Sequence, residues 1–474
     1  MAEVLKPDIC VIGGGSGGLT VAAASAAFGV SCVLIEKHKM GGDCLNTGCV
    51  PSKALLAAAK RAALARNAEA FGVHAVATVD FKKVREHVQD VIASVAPNDS
   101  AERFAGLGVR VIHGEAQFKG RRTVAVDDVE IRARRFVIAT GSRPAIPPIL
   151  GLDGGPYFTN ETIFDLTELP GHLVIIGAGS MGIELAQGYR RLGSMVTLLE
   201  AATPLAKDDP ECAAIVLDQL ERDGVLIRAG VKVESVVHAE GRVAVKIAGE
   251  GGSDIVEGTH LLVATGRKPA IEGLNLEAAR VRYGDDGITV SRKLKTSNRR
   301  IYAIGDVVAG QPRFTHAANY HAGLAIRNTL FRLPVRVDNH AVPWVTFTEP
   351  ELAQAGLTEA DARGRRLHFR VLRWPYHDND RAHAEREVRG HIKIIVTPKG
   401  GILGATIVGA QAGELIALWS LAIVQGLNIQ ALTGVVFPYP TLSEIGKRAA
   451  IDFFTPSLTR PLLHRIIGWL RKFG

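Results

Sequence analysis

Two Gly-rich loops, each set between an apolar strand and a helix and each followed by a strand ending in an acid, predict an α/β fold. The fold has two Rossmann-like dinucleotide-binding units. The chain of 474 residues has length for about three domains. A third region follows with its own alternating strands.

In the first unit, Asp8-Ile9-Cys10-Val11-Ile12 reads as a buried parallel strand and runs into Gly13, Gly15 and Gly18 in G-x-G-x-x-G spacing. An Ala-rich helix follows, then Cys32-Val33-Leu34-Ile35 and Glu36, 18 positions after Gly18. The chemistry needs a tight turn, close backbone approach to a pyrophosphate, and a helix N-terminus facing the phosphates. The acid reaches a ribose hydroxyl. Gly14, Ser16 and Gly18 also match the G-x-S-x-G hydrolase elbow, but the dinucleotide context accounts for every position.

The second unit repeats the first 164 residues later. Leu173-Val174-Ile175-Ile176 leads into Gly177, Gly179 and Gly182, and Met195–Leu199 ends at Glu200. A further echo joins Ala139-Thr140-Gly141-Ser142 to Ala264-Thr265-Gly266-Arg267. Two dinucleotide sites imply two cofactors, a flavin and a nicotinamide. Glu200 favours NAD over NADP, because a 2′-phosphate would meet a carboxylate; the bland alternative is a solvated acid at a strand end.

The segment Gly41-Gly42-Asp43-Cys44-Leu45-Asn46-Thr47-Gly48-Cys49-Val50-Pro51-Ser52-Lys53 enters a helix, with Pro51 in its first turn. Cysteines at a helix N-terminus have lowered thiol pKa values. In a straight helix five residues rise about 7.5 Å, too far for a disulfide, so bridging requires a distortion near Gly48. Cys10, Cys32 and Cys212 read as buried, inert thiols. C-x₄-C without a second pair is not a structural zinc site, and no metal site is expected.

This pattern resembles the flavin-dependent pyridine nucleotide–disulfide oxidoreductases over about residues 8–455, including the dihydrolipoamide dehydrogenase and mercuric reductase branches. The resemblance implies a discontinuous FAD-binding domain (1–150 and 271–340), an NAD(P)-binding domain (151–270) and an α+β dimerisation domain (341–455), leaving a basic amphipathic tail (456–474). It implies FAD contacts from Gly13, Gly15, Gly18, Glu36, Lys53, Gly114, Ala116, Thr140, Gly141, Ser142, Asp306 and Ala317. NAD contacts are implied from Gly177, Gly179, Gly182, Glu200 and Gly266, with NAD(H) preferred to NADP. Lys53 and Glu184 match an ion pair beside the flavin. Cys49 matches the flavin-proximal sulfur, and Cys44 the thiol that attacks a small-molecule or protein disulfide.

The enzyme is then a homodimer whose active site takes residues from both subunits. Where the family carries His before Pro-Thr and Glu five positions on, this chain has Tyr439 and Glu444. A phenol of ordinary pKa near 10 is a poor proton shuttle at neutral pH. Mercuric reductases share the Tyr, but their usual C-terminal cysteine pair has no counterpart after Cys212. Metal-ion reduction is therefore the second functional reading. His377 and His383 are alternative proton donors, though they lie in a charged, solvated stretch.

The net charge of +8 concentrates at the C-terminal end, where Lys447, Arg448, Arg460, Arg465, Arg471 and Lys472 face Asp452 alone. Leu462, Leu463, Ile466, Ile467, Trp469, Leu470 and Phe473 fill an arc of about 160° on one helix. Thr459 caps it, and Pro461 suits its first turn. Either this helix docks on its own dimer or it lies on an anionic membrane surface. The latter opens a third reading, a membrane-surface binding or sensing module. Nucleic acid is not an expected partner: no recognition motif exists and aromatic content is 6%. The N-terminus does not read as a signal peptide and no spanning helix is expected, which suggests a cytoplasmic protein, peripheral at the inner membrane surface at most.

Overall fold

In the computed structural model, which describes residues 3–458 and 461–473, the strand Ile9–Ile12 is fully buried at the centre of a five-stranded parallel sheet. The order is Ile301–Ala303, Arg135–Ile138, Ile9–Ile12, Cys32–Glu36 and Arg110–His113. Ile9 pairs with Cys32 on one side and Arg135 on the other. These short β-branched runs have no polar face because both faces of the sheet are covered. On one face Leu19, Val21 and Ala22 of helix Ser16–Ala27 join Ala322 and Ala325 of helix Thr315–Leu330. On the other, Phe118, Val124 and Ile131 cover Cys10, Ile12 and Phe136.

The chain divides into two units, residues 1–177, 188–201 and 231–339, and residues 178–187, 202–230 and 340–474. The first unit contains the sheet above and a second parallel set, with His172–Ile176 between Met195–Glu200 and His260–Val263. An antiparallel meander of Lys232–Ala239, Arg242–Gly249 and Gly252–Gly258 adds Val236, Val243 and Val245 to that core.

The second unit is built on a five-stranded antiparallel sheet, ordered Trp344–Thr346, Glu351–Gly356, Ile402–Gly409, His391–Val396 and Arg370–Pro375. The alternating stretches expected over 390–396 and 402–408 are two of its three inner strands, with His391 opposite Val408. Trp419, almost fully buried on helix Ala412–Val424, anchors the core. Lys393 is buried too, and its ammonium donates to Asp209 at 2.7 Å and lies 2.7 Å from Glu359. A buried cation is tolerable only with such partners.

Thr459, the expected cap of the tail helix, lies outside the described residues. The helix itself spans Pro461–Leu470 and leaves Leu462, Ile466, Ile467, Trp469 and Leu470 exposed, with Phe473 beyond its end exposed as well. Among the described residues no helix is long and apolar enough to cross a membrane.

Candidate active site

The sheet order reverses between Arg135–Ile138 and Ile9–Ile12, the place where α/β sheets open a ligand crevice. Gly13 stands at that edge with φ +109°, and a Cβ there would lie 2.4 Å from the Ala139 carbonyl oxygen. Only glycine fits. A Cβ on Gly18 would lie 1.9 Å from the Gly13 oxygen, whereas one on Gly15 would meet only the Gly42 Cα at 3.8 Å. Gly15 precedes helix Ser16–Ala27, whose N-terminus has no side-chain cap. An open loop at an uncapped helix start suits a phosphate. The buried Glu36 carboxylate accepts from Gly14 N at 2.6 Å and His38 N at 2.7 Å, so it also braces the loop.

The other expected FAD contacts in this unit gather along the same sheet edge. Gly114 has φ +148° and its N–H donates to Glu36 O at 3.0 Å; Ala116 is buried. Gly141 has φ +70°. Ser142 Oγ donates to Asp306 Oδ2 at 2.7 Å, and burial pushes the Asp306 carboxyl above its usual range despite that bond. Ala317 is buried near the start of helix Thr315–Leu330. The glycine cradle and the half-buried Asp306 carboxylate fit FAD.

The second loop copies the first. Gly177 has φ +105° and a Cβ there would lie 2.5 Å from the Ala264 oxygen, the counterpart of Ala139. A Cβ on Gly179 would meet nothing within 4 Å. Gly182 lies in helix Ser180–Leu192, Gly266 has φ +117°, and Glu200 is half-buried at the end of strand Met195–Glu200. These features fit a second dinucleotide.

The echoed segments also pair with each other. Ser142–Pro144 runs antiparallel to Arg267–Pro269. Thr140 Oγ1 donates to Ala270 O and Thr265 Oγ1 to Ala145 O, each at 2.7 Å.

The double glycine before the cysteines docks on the first loop. Gly41 N donates to Gly14 O at 2.9 Å, and a Cβ on Gly42 would lie 2.7 Å from the Gly15 Cα. A short helix, Gly42–Asn46, carries Cys44. The chain then breaks at Thr47 and Gly48, and Cys49 is the first residue of helix Cys49–Arg66. Asn46 Nδ2 donates to Met40 O and Gly42 O, at 3.0 and 2.8 Å, and pins the short helix. This break is the distortion that the spacing demands, and both cysteines are thiols sharing a hydrogen bond.

The pair is electrostatically unequal. The Cys49 thiol is pulled down to about 6, first by the hydrogen bond from Cys44 and then, against burial, by Thr315 and the Lys53 ammonium. Thr315 Oγ1 lies 3.6 Å from Cys49 Sγ. Cys44 is pushed well up, by the same hydrogen bond and by burial. The pair is thus polarised toward negative charge on Cys49. Cys10, Cys32 and Cys212 are buried, and burial raises all three thiols, Cys32 to about 12.

Beside the thiols lies a polar network that the sequence reading does not single out. Asp43 Oδ1 accepts from Thr47 Oγ1 at 2.8 Å and Asn160 Nδ2 at 2.9 Å, and Oδ2 lies 3.4 Å from the Arg267 guanidinium. Arg267 Nε donates to Ser142 Oγ at 2.7 Å. Asp43 and Arg267 stand inside recognisable motifs; Asn160 carries no sequence signal.

Lys53 follows Cys49 by one helical turn. Glu184 is buried, and its Oε1 accepts from Phe347 N at 2.9 Å. Tyr439 is 69% exposed, and its hydroxyl donates to Asp380 Oδ2 at 2.7 Å, which raises the phenol pKa further. Glu444 opens helix Glu444–Asp452. His383 Nε2 lies 2.7 Å from His377 O, a local bond.

Two glycine cradles and a polarised dithiol define a dinucleotide-dependent thiol oxidoreductase. Residues 7–322 match the family described as pyridine nucleotide-disulphide oxidoreductase, and residues 342–450 match its dimerisation domain, so the chain belongs to that family. It is an FAD-dependent oxidoreductase that uses NAD(P)H, and the dimerisation domain supports a homodimer. The chain is 36% identical over 450 residues to a mercuric reductase of Bacillus cereus, covering 94% of this chain and 71% of that protein. It is 36% identical over 449 residues to a dihydrolipoyl dehydrogenase of Thermus scotoductus, covering 92% and 95%. A solved Cu(II) complex of the HOCl-induced flavoprotein disulfide reductase RclA from Escherichia coli superposes with TM-score 0.84 at 29% identity, covering 95% of this chain and 100% of that one.

Proposed function

We propose that the enzyme takes electrons from NADH and delivers them through Cys49 and Cys44 to an external disulfide. The single observation that carries this reading is the placement of two free thiols, Cys44 on the short helix and Cys49 opening the next, with Thr315 Oγ1 3.6 Å from Cys49 Sγ. When bound, FAD supplies the two-electron chemistry that links nicotinamide and dithiol. Gly13, Gly15, Gly18 and the helix start would hold its pyrophosphate, Glu36 a ribose, Gly114 and Ala116 the adenine, and Asp306 with Ser142 the ribityl chain. Thr140, Gly141, Ala317 and Lys53 would complete the pocket. Gly177, Gly179, Gly182, Glu200 and Gly266 would hold NADH.

In the thiol steps, the Cys49 thiolate accepts the Cys44 proton along their hydrogen bond. The freed Cys44 sulfur attacks one sulfur of the acceptor, forming a mixed disulfide and expelling a thiolate, which is protonated. Cys49 passes the proton it held to that expelled thiolate and attacks Cys44. The Cys44–Cys49 disulfide forms, and the second product leaves as a thiolate that takes its proton from solvent. Two electrons pass to the acceptor and the dithiol is oxidised. Tyr439 and Glu444 of the second subunit would stand beside the leaving thiol. This reading divides the chain into an FAD domain (1–150 with 271–340), an NAD(P) domain (151–270), an interface domain (341–455) and a tail.

A second reading, metal-ion reduction, is favoured by the Tyr439 phenol in place of an imidazole. A soft cation needs thiolates but no proton for a leaving thiol. A stopped-flow panel of glutathione disulfide, lipoamide, Hg²⁺ and Cu²⁺, with NADH as donor, tests both. Turnover of a disulfide supports the first reading, and turnover of metal ions alone the second. We also place the enzyme in the cytoplasm, peripheral at the membrane through the exposed apolar face of Pro461–Leu470.

A further inference from the structure

A cavity of about 320 Å³ opens beside Arg135, Lys293, Lys295 and Arg332. It lies at the opposite end of the parallel sheet from the glycine cradle. Arg135 begins its strand and Lys293 and Lys295 precede Ile301–Ala303, whereas Gly13 and Ala139 follow the strand ends. A four-residue strand separates the two edges by about 13 Å.

Four cations line the cavity and no carboxylate does. The floor is rigid. Tyr302 is buried, its hydroxyl donates to Asn328 Oδ1 at 2.6 Å, and Asn328 Nδ2 donates to Leu333 O at 3.0 Å. The Lys295 backbone bridges to Tyr302, and its ammonium stands 5.6 Å from the centre of that ring. Arg332 is held at φ +55° at the rim. Burial lowers the Lys295 pKa first, and Arg135, Lys293 and Arg299 lower it further, with no acid opposing them. Clustered like charges in a walled cavity raise the local concentration of a counter-ion.

We propose that this cavity binds a small molecule bearing adjacent phosphoryl groups, either an inorganic polyphosphate or the phosphate chain of a nucleotide. Four cations lining one cavity suit a compact polyanion better than a single carboxylate. The size admits a small molecule.

The test is calorimetric titration of the FAD-loaded dimer, saturated with NAD⁺ so that the second glycine loop is filled. Tripolyphosphate and ATP are injected in separate arms at low ionic strength. Saturable binding in either arm is expected, the stronger arm naming the source. It should weaken at least about tenfold in K293Q/K295Q and in R332Q, and persist in K293R/K295R. No saturable heat from either compound, or equal affinity in K293Q/K295Q, would overturn the proposal.

Discussion

The Arg267 guanidinium stands 3.4 Å from the Asp43 carboxylate, one residue before Cys44, and its Nε donates to Ser142. This ion pair joins the cysteine hairpin to the ribbon between the two echoed segments. It also places a negative charge near both thiols, and that charge raises the pKa of each.

Asp43→Asn should therefore make the Cys49 thiolate form at lower pH. The sign follows from removing a repelling charge while leaving Arg267 uncompensated. Iodoacetamide alkylation rates against pH, followed by peptide mapping, measure it. A midpoint shifted upward would show that Asp43 acts through structure instead.

In the parent enzyme, reduced under anaerobic conditions, Cys49 alkylation should rise with a midpoint near pH 6, where its pKa is pulled down to about 6. A free cysteine titrates near 8.5. Thr315→Val removes one of the hydrogen bonds that lower Cys49 and should move the midpoint up.

The glycines separate folding from binding. Gly13→Ala forces a side chain into φ +109° against the Ala139 carbonyl, a strain of about 1–3 kcal/mol before the clash is counted. The protein should purify with little FAD and a lower Tm. At Gly179 a Cβ meets nothing within 4 Å. Gly179→Ala should keep its Tm while KM for NADH rises by roughly tenfold, about 1.4 kcal/mol of lost binding. NADH should also outcompete NADPH, and Glu200→Ser should narrow the gap.

Tyr439→His should raise lipoamide turnover by at least about tenfold, since positioned acid–base groups contribute about a hundredfold or more. Tyr439 is 69% exposed, so stability should change little. Unchanged turnover would mean that the residue does not serve the leaving thiol.

The tail is decided by flotation with anionic liposomes. The full chain should float and a form truncated before Leu462 should not, because the apolar side chains exposed on Pro461–Leu470 are then lost. Equal behaviour would remove the anchor reading.

Local chemistry made much of this site readable. Gly13 and Gly177 are fixed by backbone geometry that a side chain cannot adopt, so spacing alone exposes them. The buried strands read as apolar runs, and Cys10, Cys32 and Cys212 could be set aside because they fall within elements with buried faces. What escaped depends on contacts distant in sequence. Asn160 meets Asp43 across 117 positions, and Thr315 meets Cys49 across 266. No periodicity records such meetings. The unequal roles of the two thiols were legible through the family resemblance and not through their spacing.

The central claim is that Cys49 holds the electron-rich sulfur beside the flavin. Anaerobic titration of the holoenzyme with NADH, monitored by visible absorption, tests it most directly. A long-wavelength thiolate–flavin band is expected in the parent, retained in Cys44→Ser and lost in Cys49→Ser. A band that survives in Cys49→Ser and vanishes in Cys44→Ser would contradict the account.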